Sequence, residues 1–81
     1  MYYIYIIQCA DDTLYTGITT ELERRVEEHN GSDKGAKYTR VRRPVRLVYS
    51  EEYADRSAAS KREYEIKKKM SRVEKLELIE G

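Results

Sequence analysis

Residues 3–9 read Tyr-Ile-Tyr-Ile-Ile-Gln-Cys, apolar or aromatic at nearly every position rather than at every second one. A strand patterned this way buries both faces, so helices must cover it on each side. Ala10-Asp11-Asp12-Thr13 is turn chemistry. Residues 14–18 (Leu-Tyr-Thr-Gly-Ile) read as a second strand, and the two make a β-hairpin. Over residues 20–30 the apolar period becomes that of a helix. Thr20 is placed to cap it, with Glu23 completing a capping box. Asn30-Gly31 is placed to end it, because both residues tolerate the left-handed backbone of a helix C-terminus. Residues 31–44 form a glycine-containing basic loop or short irregular helix, closed by Pro44. Residues 45–49 are a third strand. Asp55 or Ser57 opens a second long helix that reaches about Met70, and Ser71 with Glu74 is a capping box for a terminal helix through Leu76, Leu78 and Ile79. The order β-β-α-β-α-α predicts a single domain over residues 1–81. Its class is α/β in the broad sense, more narrowly α+β: a three-stranded antiparallel sheet flanked by helices.

Both long helices carry charge where the apolar stripe should continue. At about 100° per residue, Leu22, Arg25, Val26 and His29 share one side of the first helix, and Glu23, Arg24, Glu27 and Glu28 take the other. Arg25 and His29 are i,i+4 neighbours and can touch one ligand together. The plain alternatives are an arginine snorkelling at the stripe edge and a core histidine bonded to backbone. In the second helix Glu63 lies among Ala59, Ile66 and Met70, with Lys67 on its flank. A buried carboxylate left alone is costly. Glu63 therefore needs a counter-charge, Arg25 or Lys67, or a metal ion. In the hairpin, Tyr5 and Tyr15 share a face only if the connection has an odd number of residues, as when Ala10 pairs with Leu14. Gly17, on that same face, marks close approach by another group.

Composition sharpens this picture. Charged residues are 38% of the 81, against roughly 25% in an average domain. Yet the formal net charge is only +1, which does not announce a nucleic-acid binder. The charge is unevenly spread. Residues 34–46 hold Lys34, Lys37, Arg40, Arg42, Arg43 and Arg46 with no acid among them, and Tyr38 lies inside the run. Such a segment is either a solvated loop or a phosphate-contact surface. The one cysteine, Cys9, excludes an internal disulfide and a multi-cysteine zinc site. No run approaches the roughly 18 apolar residues of a membrane span, and the first residues lack a charged leader. A cytoplasmic protein with no membrane partner is expected.

Tyr3-Ile4-Tyr5, then Tyr15-Thr16-Gly17, then the helix from Leu22 through Arg25 and His29 to Asn30, and finally Ala59-Ser60-Lys61-Arg62-Glu63-Tyr64-Glu65-Ile66-Lys67 come in a telling order and spacing. Together they resemble the motifs of the GIY-YIG nuclease superfamily, most closely its small stand-alone, largely uncharacterised bacterial and archaeal members. The resemblance implies metal-dependent cleavage of phosphodiester bonds by an endonuclease. By position, Tyr5 and Tyr15 stand at the two motif tyrosines and Arg25 at the family's arginine. His29 stands where relatives have His or Tyr, and Glu63 at the metal ligand. Tyr3 replaces the first motif's glycine and Thr16 the second motif's isoleucine, and neither change removes a tyrosine. Ile18 stands where some repair-type members carry a lysine, which weakens phosphate contact unless Lys67 compensates. The chemistry implied is one Mg²⁺ (or Mn²⁺) on Glu63 and Arg25 meeting the transition-state charge, with Tyr5, Tyr15 or His29 handling the proton of the attacking water. Lys34, Lys37, Tyr38, Arg40, Arg42, Arg43 and Lys67 are the candidate nucleic-acid contacts. The implied partner is nucleic acid, DNA ahead of RNA, in a setting such as DNA repair. A homodimer or a protein partner would supply targeting. Two readings compete: a catalytically weak nucleic-acid-binding module that keeps the fold and the basic loop, and an interaction domain in which Glu63 and Arg25 merely pair.

Overall fold

The computed structural model describes residues 1–81. Its elements are β1 (Tyr2–Gln8), β2 (Leu14–Thr19), α1 (Leu22–Gly31), α2 (Lys37–Arg40), β3 (Arg46–Tyr53), α3 (Arg56–Tyr64), a π-helical turn (Glu65–Lys69) and α4 (Arg72–Glu80). The predicted order holds, and the basic segment, expected as a loop or short irregular helix, contains one helical turn, α2. The sheet is antiparallel in the order β2-β1-β3. The strand with two apolar faces takes the centre, where Ile4, Tyr5, Ile6 and Ile7 are all buried. Ile4 and Ile6 pack with Ala59 and Ile66 on one face. Tyr5 and Ile7 join Cys9 and Val45 on the other, under Leu22 and Val26 of α1. The sheet thus separates two small cores.

Several boundaries differ from the sequence reading. Gln8, not Ala10, pairs with Leu14. The connection closes through Cys9 N–H to Thr13 O (2.8 Å) and Asp12 N–H to Cys9 O (3.0 Å), with Asp12 left-handed at φ 67°. Residues 9–13 are still an odd number, so Tyr5 and Tyr15 share a face as the hairpin argument required. Thr20 does not cap α1. The N-cap is Glu21, without a side-chain bond, and Thr19 Oγ1 accepts the Glu21 N–H at 3.1 Å. Neither Asn30 nor Gly31 turns left-handed at the other end, and Ser32 leaves the helix extended. The open carbonyls are met instead by Arg43, whose Nε donates to His29 O (2.6 Å) and Nη2 to Ser32 O (2.7 Å). The Asn30 side chain instead ties the helix to the start of β3. Its amide clamps Val45 through Nδ2 to O (2.9 Å) and Oδ1 from N–H (2.6 Å).

Strand β3 runs to Tyr53, beyond the expected end at Tyr49. The polar run Ser50-Glu51-Glu52 hides the strand, and Glu51 is accommodated because neighbouring side chains satisfy its carboxylate. A bulge interrupts the β1–β3 register between Ile6 and Ile7. Asp55, rather than Ser57, caps α3 by accepting the Ala58 N–H at 2.8 Å. The helix expected to reach about Met70 is α-helical only to Tyr64 and finishes in the π-turn. The capping box of Ser71 and Glu74 opens α4 as predicted. No helix is long and apolar enough to cross a membrane.

Candidate active site

Tyr5 sits opposite Gly17 in the β1–β2 pair. Its ring lies across β2, and a Cβ on Gly17 would fall on Tyr5 Oη and Cζ and within 2.9 Å of Cε2. Only glycine leaves room for the hydroxyl, which is the close approach its place in the strand suggested. At that point Tyr5 Oη meets His29 Nε2 at 2.7 Å. His29 is wholly enclosed. Its Nδ1 receives the Ala36 N–H at 3.3 Å and lies 3.1 Å from the buried Thr39 Oγ1. An amide nitrogen always keeps its proton, so Nδ1 is the acceptor. Nε2 therefore carries the ring proton and donates it to Tyr5 Oη. The segment that brings Ala36 and Thr39 this close depends on Gly35, where a Cβ would lie 2.6 Å from Glu28 O and 2.9 Å from His29 Cα.

Burial, helped by the Arg25 charge, pushes the His29 imidazole down to about 4. Burial likewise pushes the Tyr5 hydroxyl up to about 12. Arg25 works against that shift, and the charges of Tyr15 and Glu63 add to it. Both groups are therefore neutral near pH 7. Arg25 is half-buried, and its Nη1 donates to Glu28 Oε1 (2.9 Å) and to Lys34 O (2.7 Å). Arg24, one residue away, is exposed, as the helical projection required. Arg25 also lines an open polar cavity of about 140 Å³ with Thr19, Thr20, Glu21, Arg24 and Glu28.

Tyr15 presents its ring to its neighbours. The His29 ring meets it edge-on at 5.4 Å, Tyr38 stacks on it at 5.7 Å, and Lys67 Nζ lies 5.6 Å from its centroid. The Arg42 guanidinium in turn covers Tyr38 at 4.1 Å. Glu63, half-buried on α3, makes no hydrogen bond and no ion pair. The counter-charge expected for it is absent: Arg25 is taken by Glu28 and Lys67 lies over Tyr15. The Glu63 charge nevertheless bears on Tyr5 Oη. No group of three or more His, Cys, Asp or Glu side chains stands ready for a metal. An ion at Glu63 would have one protein carboxylate and otherwise water or phosphate oxygens. That donor set suits Mg²⁺, which typically binds through one or two carboxylates plus substrate phosphates and keeps several waters.

The basic block divides by residue type. Arg43, read from the sequence as a substrate contact, caps α1 with its Nε and Nη2. Arg42 Nε lies 3.1 Å from Asp11 Oδ2, although its N–H is not aimed at that oxygen, and Nη1 donates to Tyr38 O at 2.8 Å. Arg40 donates to Asp33 O at 2.5 Å. Lys34 and Lys37 are exposed, and neither ammonium has a side-chain partner. Sequence reasoning missed Glu28, whose signal was its i,i+3 spacing from Arg25. It also missed Thr39 and the Ala36 amide, for which the sequence held no signal.

A model of the GIY-YIG catalytic domain matches residues 1–77. A UPF0213 protein of Desulfotalea psychrophila is 68% identical over 66 residues, which are 82% of this chain and 60% of that protein. Another, from Staphylococcus haemolyticus, is 54% identical over 79 residues, 98% of this chain and 94% of the relative. The solution NMR structure of a UPF0213 protein from Bacillus halodurans matches with a TM-score of 0.62 at 44% identity, covering 99% of this chain and 84% of that one. GIY-YIG nuclease domains act on nucleic acid and generally use a divalent metal. By sequence over nearly its whole length and by fold, the chain belongs to the GIY-YIG family and groups with its small UPF0213 members.

Proposed function

We propose that the protein is a metal-dependent endonuclease that hydrolyses phosphodiester bonds in nucleic acid, DNA ahead of RNA, with one divalent ion, Mg²⁺ or Mn²⁺, at Glu63. The observation that carries this reading is the state of Glu63. It is a half-buried carboxylate with no protein partner, and its charge is among those that raise the Tyr5 hydroxyl. An uncompensated carboxylate in a protein costs stability, and an ion with its ligand phosphate offsets that cost. A bound ion would supply Lewis-acid stabilisation of the phosphate and of the leaving oxygen.

The remaining work falls to the chain's own groups. Arg25, braced by Glu28 and by Lys34 O, offers a fixed fork to the charge that develops on the phosphate. Tyr5 orients the attacking water, because its Oη is pinned by His29 and has hydrogen-bonding capacity to spare. His29 has both ring nitrogens engaged, Nε2 with Tyr5 Oη and Nδ1 with the Ala36 amide, and holds Tyr5 rather than meeting substrate. Tyr15, more exposed than Tyr5 or His29, stands beside Lys67 at the entrance. Lys67, Lys34 and Lys37 contact flanking phosphates. The test is a cleavage screen over branched and linear DNA and structured RNA with Mg²⁺ or Mn²⁺. Glu63→Gln, which keeps the shape and removes the charge, should lower the rate at least about 100-fold. Equal rates for the two proteins would sink the proposal. Salt-sensitive binding by both with no turnover would favour the nucleic-acid-binding module instead.

A further inference from the structure

On the sheet face opposite α1, Glu51 is surrounded by donors. Tyr49 Oη and Tyr53 Oη (2.5 Å for Tyr53) both donate to it. Arg62 closes on it with a two-pronged contact, Nε to Oε1 at 3.0 Å and Nη2 to Oε2 at 3.1 Å. The third arm of the guanidinium, Nη1, pairs with Glu65 at the start of the π-turn. Glu51 and Arg62 side chains are only 19% and 26% exposed. Burial works to raise the Glu51 carboxyl, yet the bonds from Arg62 and the two tyrosines hold it low. Bonds of this kind are directional and partly shielded, unlike a surface ion pair.

Their position gives them a consequence for Glu63. The only fully buried residue of α3 is Ala59. The π-turn that continues the helix adds one more buried anchor, Ile66. Apolar contacts are not directional, so these two leave the rotation of the helix about its own axis loosely set. The Arg62 fork is attached to a strand residue and does resist that rotation. Glu63 is the next residue, about 100° further round the helix. We infer that the Glu51–Arg62 clamp, with Tyr49 and Tyr53, is a positioning device that sets the rotation of α3 and so aims Glu63 at Tyr5 and the metal position. The inference rests on the proposed role of Glu63, but its geometric part can be read without any metal.

The experiment uses the whole chain and two readouts. The first is Mn²⁺ affinity, followed by the EPR signal of the free ion with no nucleic acid present. The second is the change in the Tyr5 ring ¹³C shifts caused by Glu63→Gln, compared in the wild-type and in an Arg62→Met background. Arg62→Met keeps the stem and loses the fork. It should weaken Mn²⁺ binding by about 10-fold, the usual lower range for groups that orient metal ligands. It should also cut the Tyr5 response to Glu63→Gln by at least half. Arg62→Lys, with charge but one point of contact, should fall between, and it decides the matter by the same readouts if Arg62→Met does not fold. If the folded variant keeps wild-type values for both, the clamp has no positioning role. If Glu63→Gln fails to move Tyr5 even in the wild type, Glu63 is not aimed there and the inference falls. If the wild type binds no Mn²⁺, the metal reading of Glu63 fails separately, and the Tyr5 response still judges the clamp.

Discussion

His29 shows what a side chain's place on a helix can and cannot reveal. Its angular position beside Leu22 and Val26 predicted burial, and the same projection preferred Arg25 to Arg24 and marked Glu63 as anomalous. All three features are present in the fold. The projection could not show which atoms would meet His29, because Ala36 and Thr39 approach from a loop whose path depends on Gly35. Those contacts make the ring a neutral donor to Tyr5, which removes it as a base that meets substrate. A pH dependence follows. Unfolded, the imidazole takes a proton near 6.5; folded, it resists until about 4. The stability due to the neutral ring is complete above pH 6.5, falls as the pH drops toward 4, and is gone below that. The loss is on the order of 3 kcal/mol over the window. Urea unfolding between pH 4.5 and 7 should show it for the wild type and not for His29→Gln, beyond the carboxylate effects that both share. Equal slopes for the two proteins would contradict the neutral, enclosed ring. For the same reason, a cleavage-rate profile should show no limb near pH 6.5.

At the level of elements, signals contained within a few residues were readable, and signals that depend on distant partners were not. The Ser71–Glu74 capping box needs only its own four residues, and it forms as read. The Asp55 cap is equally local. The Thr20 cap did not form, since the helix starts at Leu22 with Glu21 as its N-cap, and the hairpin register moved by two residues while keeping its parity. The end of β3 was invisible because Glu51 reads as loop until Tyr49, Tyr53 and Arg62 are placed around it. The end of α1 is the clearest case. Asn30-Gly31 looked sufficient, yet the carbonyls of Glu28, His29 and Ser32 are taken by Arg43, which lies 14 residues from His29. Arg43→Met should therefore act on stability. Charge-assisted bonds to backbone oxygens support a loss of about 2 kcal/mol, measured by urea unfolding at pH 7. A change below a few tenths of a kcal/mol would mean that the cap is dispensable.

Across the whole molecule, the proposed site draws on Tyr5 from β1, Tyr15 from β2, Arg25 and His29 from α1, and Glu63 from α3. Helices on opposite faces of a sheet can meet only around an edge; α3 packs across all three strands, and the β2 edge is the one where Tyr5 crosses Gly17 and Lys67 lies over Tyr15. The absence of a side chain at Gly17 makes room for the Tyr5 hydroxyl on that strand. The sequence order of the motifs pointed to the ensemble, whereas this route around the edge needed the sheet order. Charge is organised at the same scale. The +1 total conceals free lysines near the site and arginines spent on building the loop. That division makes a prediction about salt. Each lysine that neutralises a phosphate adds close to one unit to the dependence of log affinity on log salt. Lys34→Gln with Lys37→Gln should reduce that slope by about 2 and weaken binding evenly across sequences. Arg43→Met, wherever it remains folded, should keep the wild-type slope, because its guanidinium is committed to α1. Fluorescence anisotropy with a labelled duplex, titrated over a range of salt concentrations, measures all three proteins. A slope unchanged in the lysine variant would remove the basic loop from the contact surface. A slope reduced in Arg43→Met would show that the helix cap also reaches the phosphate backbone.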